Sequence, residues 1–367
     1  MDRREFLKTG MSVSAAAVLG GLPKSMLRAA EAAGADGAKW RTFEVTTRLD
    51  VLNPAGPVRA WVPLPLTADT DYHKTLGNTW TGNAAAGRIV TDEKYGAGIF
   101  HVEWAAGEKA PVVEVTSRFT TRDRAVDLKG PGSGAKDDKA TLARYLEPTK
   151  LLPTDGIVKK TSNDATQGLR TDLDRARALY EWIVDNTFRD PKVKGCGIGD
   201  IKGMLETGNL GGKCADLNAL FVGLARAAGI PARDVYGVRV ADSAEYKSLG
   251  KSGDITKAQH CRAEFYLAGR GWVPVDPADV RKVVLEEKPG GLTLRDPAVQ
   301  RARIKLFGAW EMNWLAFNYA HDLKLPGSSR DPIAFFMYPQ AETAEGRRDS
   351  LDPDNFRYKM TSREITA

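Results

Sequence analysis

The sequence has few of the residues that cross-link a fold or bind a structural metal. Its 367 residues include only three cysteines and four histidines. No two cysteines are spaced as Cys-x-x-Cys and no two histidines lie four positions apart, so no structural zinc site is expected. Three cysteines leave two options open, one disulfide with one free thiol or three free thiols. The residues concerned are Cys196, Cys214, Cys261, His73, His101, His260 and His321.

Dense charge of one sign is also missing. The formal net charge is +6, and the basic residues are spread along the chain without a cluster, which argues against a nucleic-acid partner. The glycine-rich segment "GCGIGD" lacks the strand and helix spacing of a phosphate-binding loop, so no nucleotide cofactor is expected. The composition, with 42% apolar residues, is that of a globular enzyme or binding protein.

Residues 1–33 are predicted to be an export signal and not part of the fold. The paired Arg3 and Arg4 precede "MSVSAAAVLGGL", which is too short and too rich in glycine and alanine for a permanent membrane helix. Small residues then offer cleavage sites. The order resembles a twin-arginine signal, although Asp2 stands where Ser or Thr is more usual. The resemblance implies a mature protein that is periplasmic or extracellular and has no integral membrane segment.

Residues 39–128 predict a small antiparallel β domain resembling a sandwich. In "FEVTTRLDV" and "VVEVTSRFTT" apolar side chains alternate with polar ones, which is the pattern of a strand with one buried face. Glycine, asparagine and proline clusters separate these runs. The polar, glycine-rich segment Lys129–Lys139 predicts a linker and a domain boundary.

Residues 129–280 predict an α+β domain. From Ala215 onwards apolar residues follow helical spacing, and Gly229 is placed to end that helix. The strands "ARDVYGVRV", "HCRAEFYL" and "GWVPVDP" come next, so a buried helix is expected to pack on an antiparallel sheet. Residues 281–367 are expected to form a C-terminal extension that packs onto this core.

Cys214 is the first candidate for chemistry. The glycines in "GGKC" allow a tight turn into the helix, so the thiol is expected in the first helical turn. The unpaired N–H groups and the positive end of the helix dipole favour a thiolate there, and they can also stabilise an oxyanion. On these residues alone, a buried and inert cysteine remains an equal alternative.

His260 and Asp276 are candidates for the base and for the group that orients it. A cysteine nucleophile needs a base that later returns a proton to the leaving amine. His260 begins a strand, and Asp276 ends the next one, where it could accept a hydrogen bond from the imidazole. Direct pairing of the two requires a hairpin centred on Ala268 and hence an odd-length loop or a bulge, whereas a two-residue turn would direct Asp276 away from His260.

Together these residues resemble the transglutaminase-like superfamily. The matching segments are "GGKCADLNALFVGLARAAGIPARDVYGVRV", the histidine strand and "GWVPVDPADV", within roughly residues 170–280. The resemblance implies a papain-like core, in which the helix carrying the cysteine packs on the sheet, and a triad of Cys214, His260 and Asp276. It implies no cofactor, and because nothing resembles the calcium sites of the animal cross-linking enzymes, no metal requirement is expected.

Two further residues are candidates for substrate binding. Many members of the superfamily follow the histidine with a small residue and tryptophan, whereas this chain has Cys261 and Arg262. Arg262 could bind a substrate carboxylate, alter the pKa of the imidazole or pair with Glu264. Asn218 follows the nucleophile by one helical turn and could face the cleft.

These observations predict an exported thiol enzyme that transfers the acyl group of an amide. Water as acceptor gives a peptidase or amidase, and an amine gives cross-linking of the transglutaminase type. The expected substrates are peptide or protein amides, including those of the cell envelope. The alternative is a binding or assembly protein built on a degenerate core. Cys196 and Cys261 are expected to be either bonded to each other or both reduced.

Overall fold

A computed structural model describes residues 38–130, 132, 134 and 136–366. The predicted twin-arginine signal, residues 1–33, lies outside the described residues. In the described part, no helix combines the length and the hydropathy that a membrane crossing would need.

The described residues form twenty β-strands and seven α-helices, in a mixed architecture of helices and antiparallel sheets that confirms the predicted α+β class. The strands are β1 (Arg41–Val51), β2 (Val58–Pro63), β3 (His73–Gly82), β4 (Ala86–Thr91), β5 (Gly98–Trp104), β6 (Val112–Thr121), β7 (Arg124–Ala125), β8 (Phe188–Arg189), β9 (Gly211–Gly212), β10 (Ala232–Arg239), β11 (Gly253–Asp254), β12 (Gln259–Leu267), β13 (Gly271–Val275), β14 (Ala309–Trp310), β15 (Trp314–Asn318), β16 (His321–Leu323), β17 (Ile333–Phe335), β18 (Gln340–Thr343), β19 (Gly346–Arg347) and β20 (Phe356–Ile365). The helices are α1 (Lys139–Arg144), α2 (Gly156–Ala165), α3 (Asp172–Asn186), α4 (Ile201–Thr207), α5 (Cys214–Ala227), α6 (Pro277–Glu286) and α7 (Pro297–Lys305).

The N-terminal strands β1 to β6 pair with later strands in two five-stranded sheets. One has the order β11-β20-β1-β6-β3 and the other the order β19-β18-β2-β5-β4. The alternation along β1 decides which side is buried, since Phe43, Val45 and Leu49 are buried and the residues between them are more exposed. Apolar side chains of both sheets, Leu49 and Val113 from one and Val102 from the other, share one core, which is the packing of a sandwich.

The segment after residue 280 contributes strands to several sheets. Strand β20 pairs with β1 from Thr42 to Val51, and β18 pairs with β2. Strand β15 pairs with β10 in the sheet beneath the long buried helix. The extension thus joins the β-sandwich as well as the α+β part. The sequence did not reveal this, because long-range strand pairing has no local signature. The boundaries proposed at residues 128 and 280 stay predictions.

The α+β part is built around α5. Every residue of this helix is buried, and the helix packs on a four-stranded antiparallel sheet of order β13-β12-β10-β15. Its apolar residues, including Leu217, Leu220 and Phe221, form one core with β12 and with α3. Burial of each such side chain stabilises the fold by about 2 kcal/mol. The cysteine at the start of α5 is therefore held by a rigid element.

Candidate active site

Cys214 is the first residue of α5, as the glycine pattern predicted. Asp216 fixes this helix start, because its carboxylate accepts from the Lys213 amide at 2.9 Å and from the amides of Ile198 and Gly199 at 3.0 and 2.9 Å. The Ala215 amide donates to the Cys196 carbonyl at 2.9 Å. The Cys214 amide has no hydrogen-bond partner among the described residues, so it is free to bind an oxyanion. The Cys214 residue is only 4% exposed.

A glycine loop covers the start of α5. Gly195, Gly197 and Gly199 have φ values of +58°, +91° and +78°, which side chains other than glycine rarely adopt. A Cβ on Gly197 would lie 1.9 Å from a carboxylate oxygen of Asp216, so only glycine fits there. This close approach holds Cys196 beside Cys214, and the Gln259 carbonyl, 3.2 Å from the Cys196 sulfur, is a second acceptor for the one proton of that thiol.

His260 and Asp276 are in direct contact. The Nε2 atom of His260 lies 2.7 Å from Oδ2 of Asp276, and both residues are buried. Because Nε2 is occupied by this carboxylate, Nδ1 is the imidazole nitrogen left to exchange a proton with the thiol of Cys214. The thiol lies near enough for His260 to lower its pKa.

The hairpin register explains how this contact forms. Strands β12 and β13 pair Leu267 with Gly271 and Ala263 with Val275, which leaves a three-residue loop. The loop has an odd number of residues, as the sequence analysis required. The register nevertheless places Asp276 level with Arg262 and not with His260. Asp276 leaves the strand as the N-cap of α6, with φ −151° and ψ 75°, and its side chain crosses diagonally to the imidazole. The prediction that contact between His260 and Asp276 requires them to be direct cross-strand partners was therefore wrong.

A second carboxylate lies beside the imidazole. Oδ2 of Asp279 is 3.4 Å from Nε2 of His260, while Oδ1 accepts from Nη2 of Arg239 at 2.6 Å. The Asp279 amide also donates to Oδ1 of Asp276 at 3.0 Å. His260, Asp276 and Asp279 offer possible metal ligands within 4.8 Å of one another. A cation bound there would compete with Arg239 and Arg262, which already face the two carboxylates.

The surroundings of Cys214 favour its thiolate. A hydrogen bond with Cys196 is the largest influence that lowers the pKa of Cys214 well below its usual value, and Cys261 and His260 lower it further, whereas burial opposes the shift. The pKa of Cys196 is raised well above its usual value, first by the same hydrogen bond and then by burial. All three cysteines are free thiols in the structure. These shifts favour a negative charge on Cys214 and protonated thiols at Cys196 and Cys261.

The surroundings of His260 favour its charged imidazolium form. Burial lowers the pKa of His260 and Arg239 lowers it again, but Asp279 and Asp276 together outweigh them and raise it to about 9. Burial, and then the neighbouring Asp279, raises the pKa of Asp276. Burial would also raise the pKa of Asp279, but Arg239 and His260 hold it well below its usual value. The shifts of Cys214 and His260 together favour a thiolate beside an imidazolium at neutral pH.

The two predicted substrate-binding residues are buried. Nδ2 of Asn218 donates to the Cys261 carbonyl at 2.8 Å and to Oδ1 of Asp276 at 3.2 Å. Arg262 donates to the Glu311 carbonyl at 2.9 Å, and its Nε lies 3.7 Å from Oδ2 of Asp276. Both side chains thus support the orienting carboxylate. Their substrate-binding role stays a prediction.

Sequence reasoning did not identify Arg239 or Asp279. Asp279 has a detectable signal, because "DPAD" places two carboxylates three residues apart at a helix start, where they share a face. Arg239 ends β10, and only the pairing of β10 with β12 brings it to the site. Glu264, considered as a partner of Arg262, instead binds Arg124 and Arg233.

Comparisons with known proteins identify similar sequences. The sequence profile of the transglutaminase-like superfamily matches residues 159–277. An uncharacterized protein of Haemophilus influenzae (strain Rd) is 36% identical over 342 residues, which cover 88% of this chain and 91% of that protein.

The chain is also similar to solved structures, one of which reaches a TM-score of 0.50. A protein of Cytophaga hutchinsonii, described as a candidate cysteine protease, has a TM-score of 0.50 at 15% identity, with 89% of this chain and 98% of that chain covered. The periplasmic domain of TgpA from Pseudomonas aeruginosa is also similar, with a TM-score of 0.33, 17% identity, and 73% and 94% of the two chains covered.

Proposed function

We propose, on the match of residues 159–277 to the transglutaminase-like superfamily, that this chain is a thiol enzyme that transfers the acyl group of an amide. Cys214 is the nucleophile, His260 the acid and base, and Asp276 the group that orients the imidazole. The observation that carries the proposal is the 2.7 Å contact between His260 and Asp276 beside a thiol at the start of a buried helix.

The first half of the reaction forms an acyl-enzyme. The Cys214 thiolate attacks the carbonyl carbon of the amide, a C–S bond forms, and the carbonyl oxygen becomes an oxyanion that the Cys214 amide can bind. The imidazolium of His260 then gives its proton to the nitrogen as the C–N bond breaks, and the amine leaves. Asp276 stabilises the imidazolium and holds the ring so that Nδ1 faces the sulfur.

The second half releases the acyl group. Neutral His260 takes a proton from the incoming acceptor, which attacks the thioester carbon and frees the thiolate. Water gives hydrolysis, and an amine gives transamidation. We favour hydrolysis of a peptide or protein amide, because water is the acceptor present at the highest concentration. The signal-like residues 1–33 support a periplasmic or extracellular enzyme that acts on amides of that compartment, including those of the cell envelope.

A binding or assembly protein on a degenerate core is the second candidate. The observation that favours it is the low exposure of both central residues, 4% for Cys214 and 3% for His260. A substrate must therefore reach the sulfur through a narrow opening or displace the covering loop. The charged state of the pair decides between the two functions, because a purely structural thiol needs no imidazolium partner.

Alkylation of the purified mature protein tests the proposal. We expect a neutral haloacetamide to label Cys214 rapidly below pH 7, because the thiolate persists there, and more slowly in the His260→Ala variant. Cys214→Ser identifies the labelled site by mass spectrometry. Labelling at the rate of an ordinary thiol, unchanged by the histidine substitution, would support the binding protein. A disulfide that includes Cys214 in the unreduced mature protein would also contradict the enzyme.

A further inference from the structure

We propose that Asp279, paired with Arg239, is a second positioning residue, one that keeps the His260 imidazole charged. This inference rests on the proposed function for its purpose, and extends the catalytic set beyond Cys214, His260 and Asp276. It assigns a task to a buried ion pair that is not itself in contact with the expected position of the substrate.

The geometry places Asp279 between two cations. One carboxylate oxygen is 3.4 Å from Nε2 of His260, and the other accepts from Arg239 at 2.6 Å. The guanidinium of Arg239 is held in turn by the Leu249 carbonyl. Asp279 is 1% exposed and Arg239 is 3% exposed, so water screens neither charge. A buried pair this close to a histidine affects the proton on that histidine.

Charge balance shows why one carboxylate is insufficient. Arg239 and Arg262 bring two positive charges into the buried site, and an imidazolium adds a third. Asp276, Asp279 and the Cys214 thiolate supply three negative charges. Without Asp279 the site would hold one uncompensated positive charge, and the imidazole would be the group most readily deprotonated, because an arginine does not lose its proton at accessible pH.

The other titratable groups near Asp279 and Arg239 have partners of their own or are protonated thiols. Lys282, on the same helix as Asp279, lies 3.7 Å from Glu286. Cys196 and Cys261 keep their protons because contact with the thiolate and burial raise their pKa values. Arg262 donates to the Glu311 carbonyl, and the Glu311 carboxylate accepts from the Ser243 hydroxyl and the Ala244 amide. The carboxylates that face the imidazole are Asp276 and Asp279.

Asp276, at the end of the hairpin, and Asp279, in helix α6, affect the imidazole in different ways. Asp276 accepts from Asn218 and from the Asp279 amide through one oxygen, and contacts the imidazole through the other. It therefore fixes the ring. Asp279 is farther from the imidazole and binds Arg239, so its main effect is electrostatic: it cancels the guanidinium charge that would otherwise expel the proton of His260.

Titration of His260 by NMR in protein with labelled histidine rings tests this role directly. The chain has four histidines, so His260→Ala assigns its signal. We expect the wild-type midpoint near pH 9 and a midpoint lower by about one pH unit or more in Asp279→Asn. Arg239→Gln should raise the midpoint, and the double variant Asp279→Asn with Arg239→Gln should return it towards the wild-type value.

Two variants separate electrostatics from loss of structure. Glu264→Gln removes a buried carboxylate from the same strand as His260, but Glu264 binds Arg124 and Arg233, so the midpoint of His260 should not move. Asp279→Glu keeps the charge and should restore part of the shift. Circular dichroism confirms folding before each titration.

The outcomes distinguish this inference from the proposed function. If wild-type His260 titrates near 6.5 and Cys214 reacts as an ordinary thiol, the proposed function fails and the inference fails with it. If the wild-type pair is charged but Asp279→Asn leaves the midpoint unchanged, only the inference is overturned. Equal downward shifts in Asp279→Asn and Glu264→Gln would also overturn it, because the effect would then reflect general destabilisation.

Discussion

At the scale of single residues, the local setting of Cys214 decides its chemistry. A helix start supplies a partial positive charge, but the structure adds the hydrogen bond with Cys196 and the contact with His260, both of which favour the thiolate. The hydrogen bond is the largest of these influences. An ordinary cysteine on the glycine loop is therefore part of what makes its neighbour reactive.

Replacement of Cys196 measures this contribution. Cys196→Ala removes the donor, so the pKa of Cys214 should rise and the acid midpoint of its alkylation should move up by about one pH unit. Cys196→Ser retains a hydroxyl donor and should stay close to the wild-type midpoint. The check is the pH profile of labelling of Cys214, followed by mass spectrometry. Identical profiles for the alanine and serine variants would show that the hydrogen bond has no effect.

At the scale of elements, the glycine loop Gly195–Gly199 and the start of α5 form one unit. Asp216 joins them through the amides of Ile198 and Gly199, and the close approach of Gly197 leaves no room for a side chain. The loop can hold Cys196 in place only while this packing is intact. The unit therefore couples backbone conformation to the charge of the nucleophile.

Gly197→Ala tests the coupling. The added methyl would overlap the Asp216 carboxylate, so the loop must move, and the free energy of unfolding should fall by about 2 kcal/mol or more. Alkylation of Cys214 at low pH should slow at the same time. Gly208→Ala is the matched control, since Gly208 has a similar φ of +69° with no atom within 4 Å of the added Cβ. Gly208→Ala should lose stability through backbone strain alone and leave the alkylation profile of Cys214 unchanged. Slowed alkylation in this control would contradict the coupling between the glycine loop and Cys214.

At the scale of the whole molecule, the two charged groups make opposite contributions to the pH dependence of stability. The pKa of His260 is raised on folding to about 9, so its contribution is complete below about pH 6.5 and is lost as the pH rises through 9. The pKa of Cys214 is lowered on folding, so its contribution is present above its unfolded value near 8.5 and declines as the pH falls. Between about pH 6.5 and 8.5, the contribution of His260 to stability falls with rising pH while that of Cys214 rises.

Cys214→Ser should expose the histidine contribution. Without the thiol, the free energy of unfolding should fall between pH 6.5 and 9 by less than about 3 kcal/mol, because loss of the thiolate charge also lowers the pKa of His260, and the wild type should change less still. Urea unfolding at a series of pH values measures both curves. The double variant with His260→Ala is the control and should be nearly flat in this window. A wild-type curve as steep as that of Cys214→Ser would show that the thiol is not ionised.

The sequence predicted much of the site because its chemistry is encoded locally. The glycine turn before Cys214, the strand that begins at His260 and the Asp-Pro step at Asp276 each follow from neighbouring residues. The period-two pattern of residues 39–128 likewise fixed the buried faces of the β domain. Contact between His260 and Asp276 led the sequence analysis to expect an odd-length hairpin loop or a bulge, and the structure has three loop residues.

Only the tertiary structure decided which distant groups meet at the thiol. The cluster of Cys196, Cys214 and Cys261, the placement of Arg239 beside Asp279, and the pairing of β20 with β1 depend on contacts between segments far apart in the chain. Such contacts have no period or motif, because long-range packing selects them by shape and charge after the local elements have formed. The sequence by itself determined which residues were candidates for the proposed acyl transfer, and the fold determined the charges that surround them.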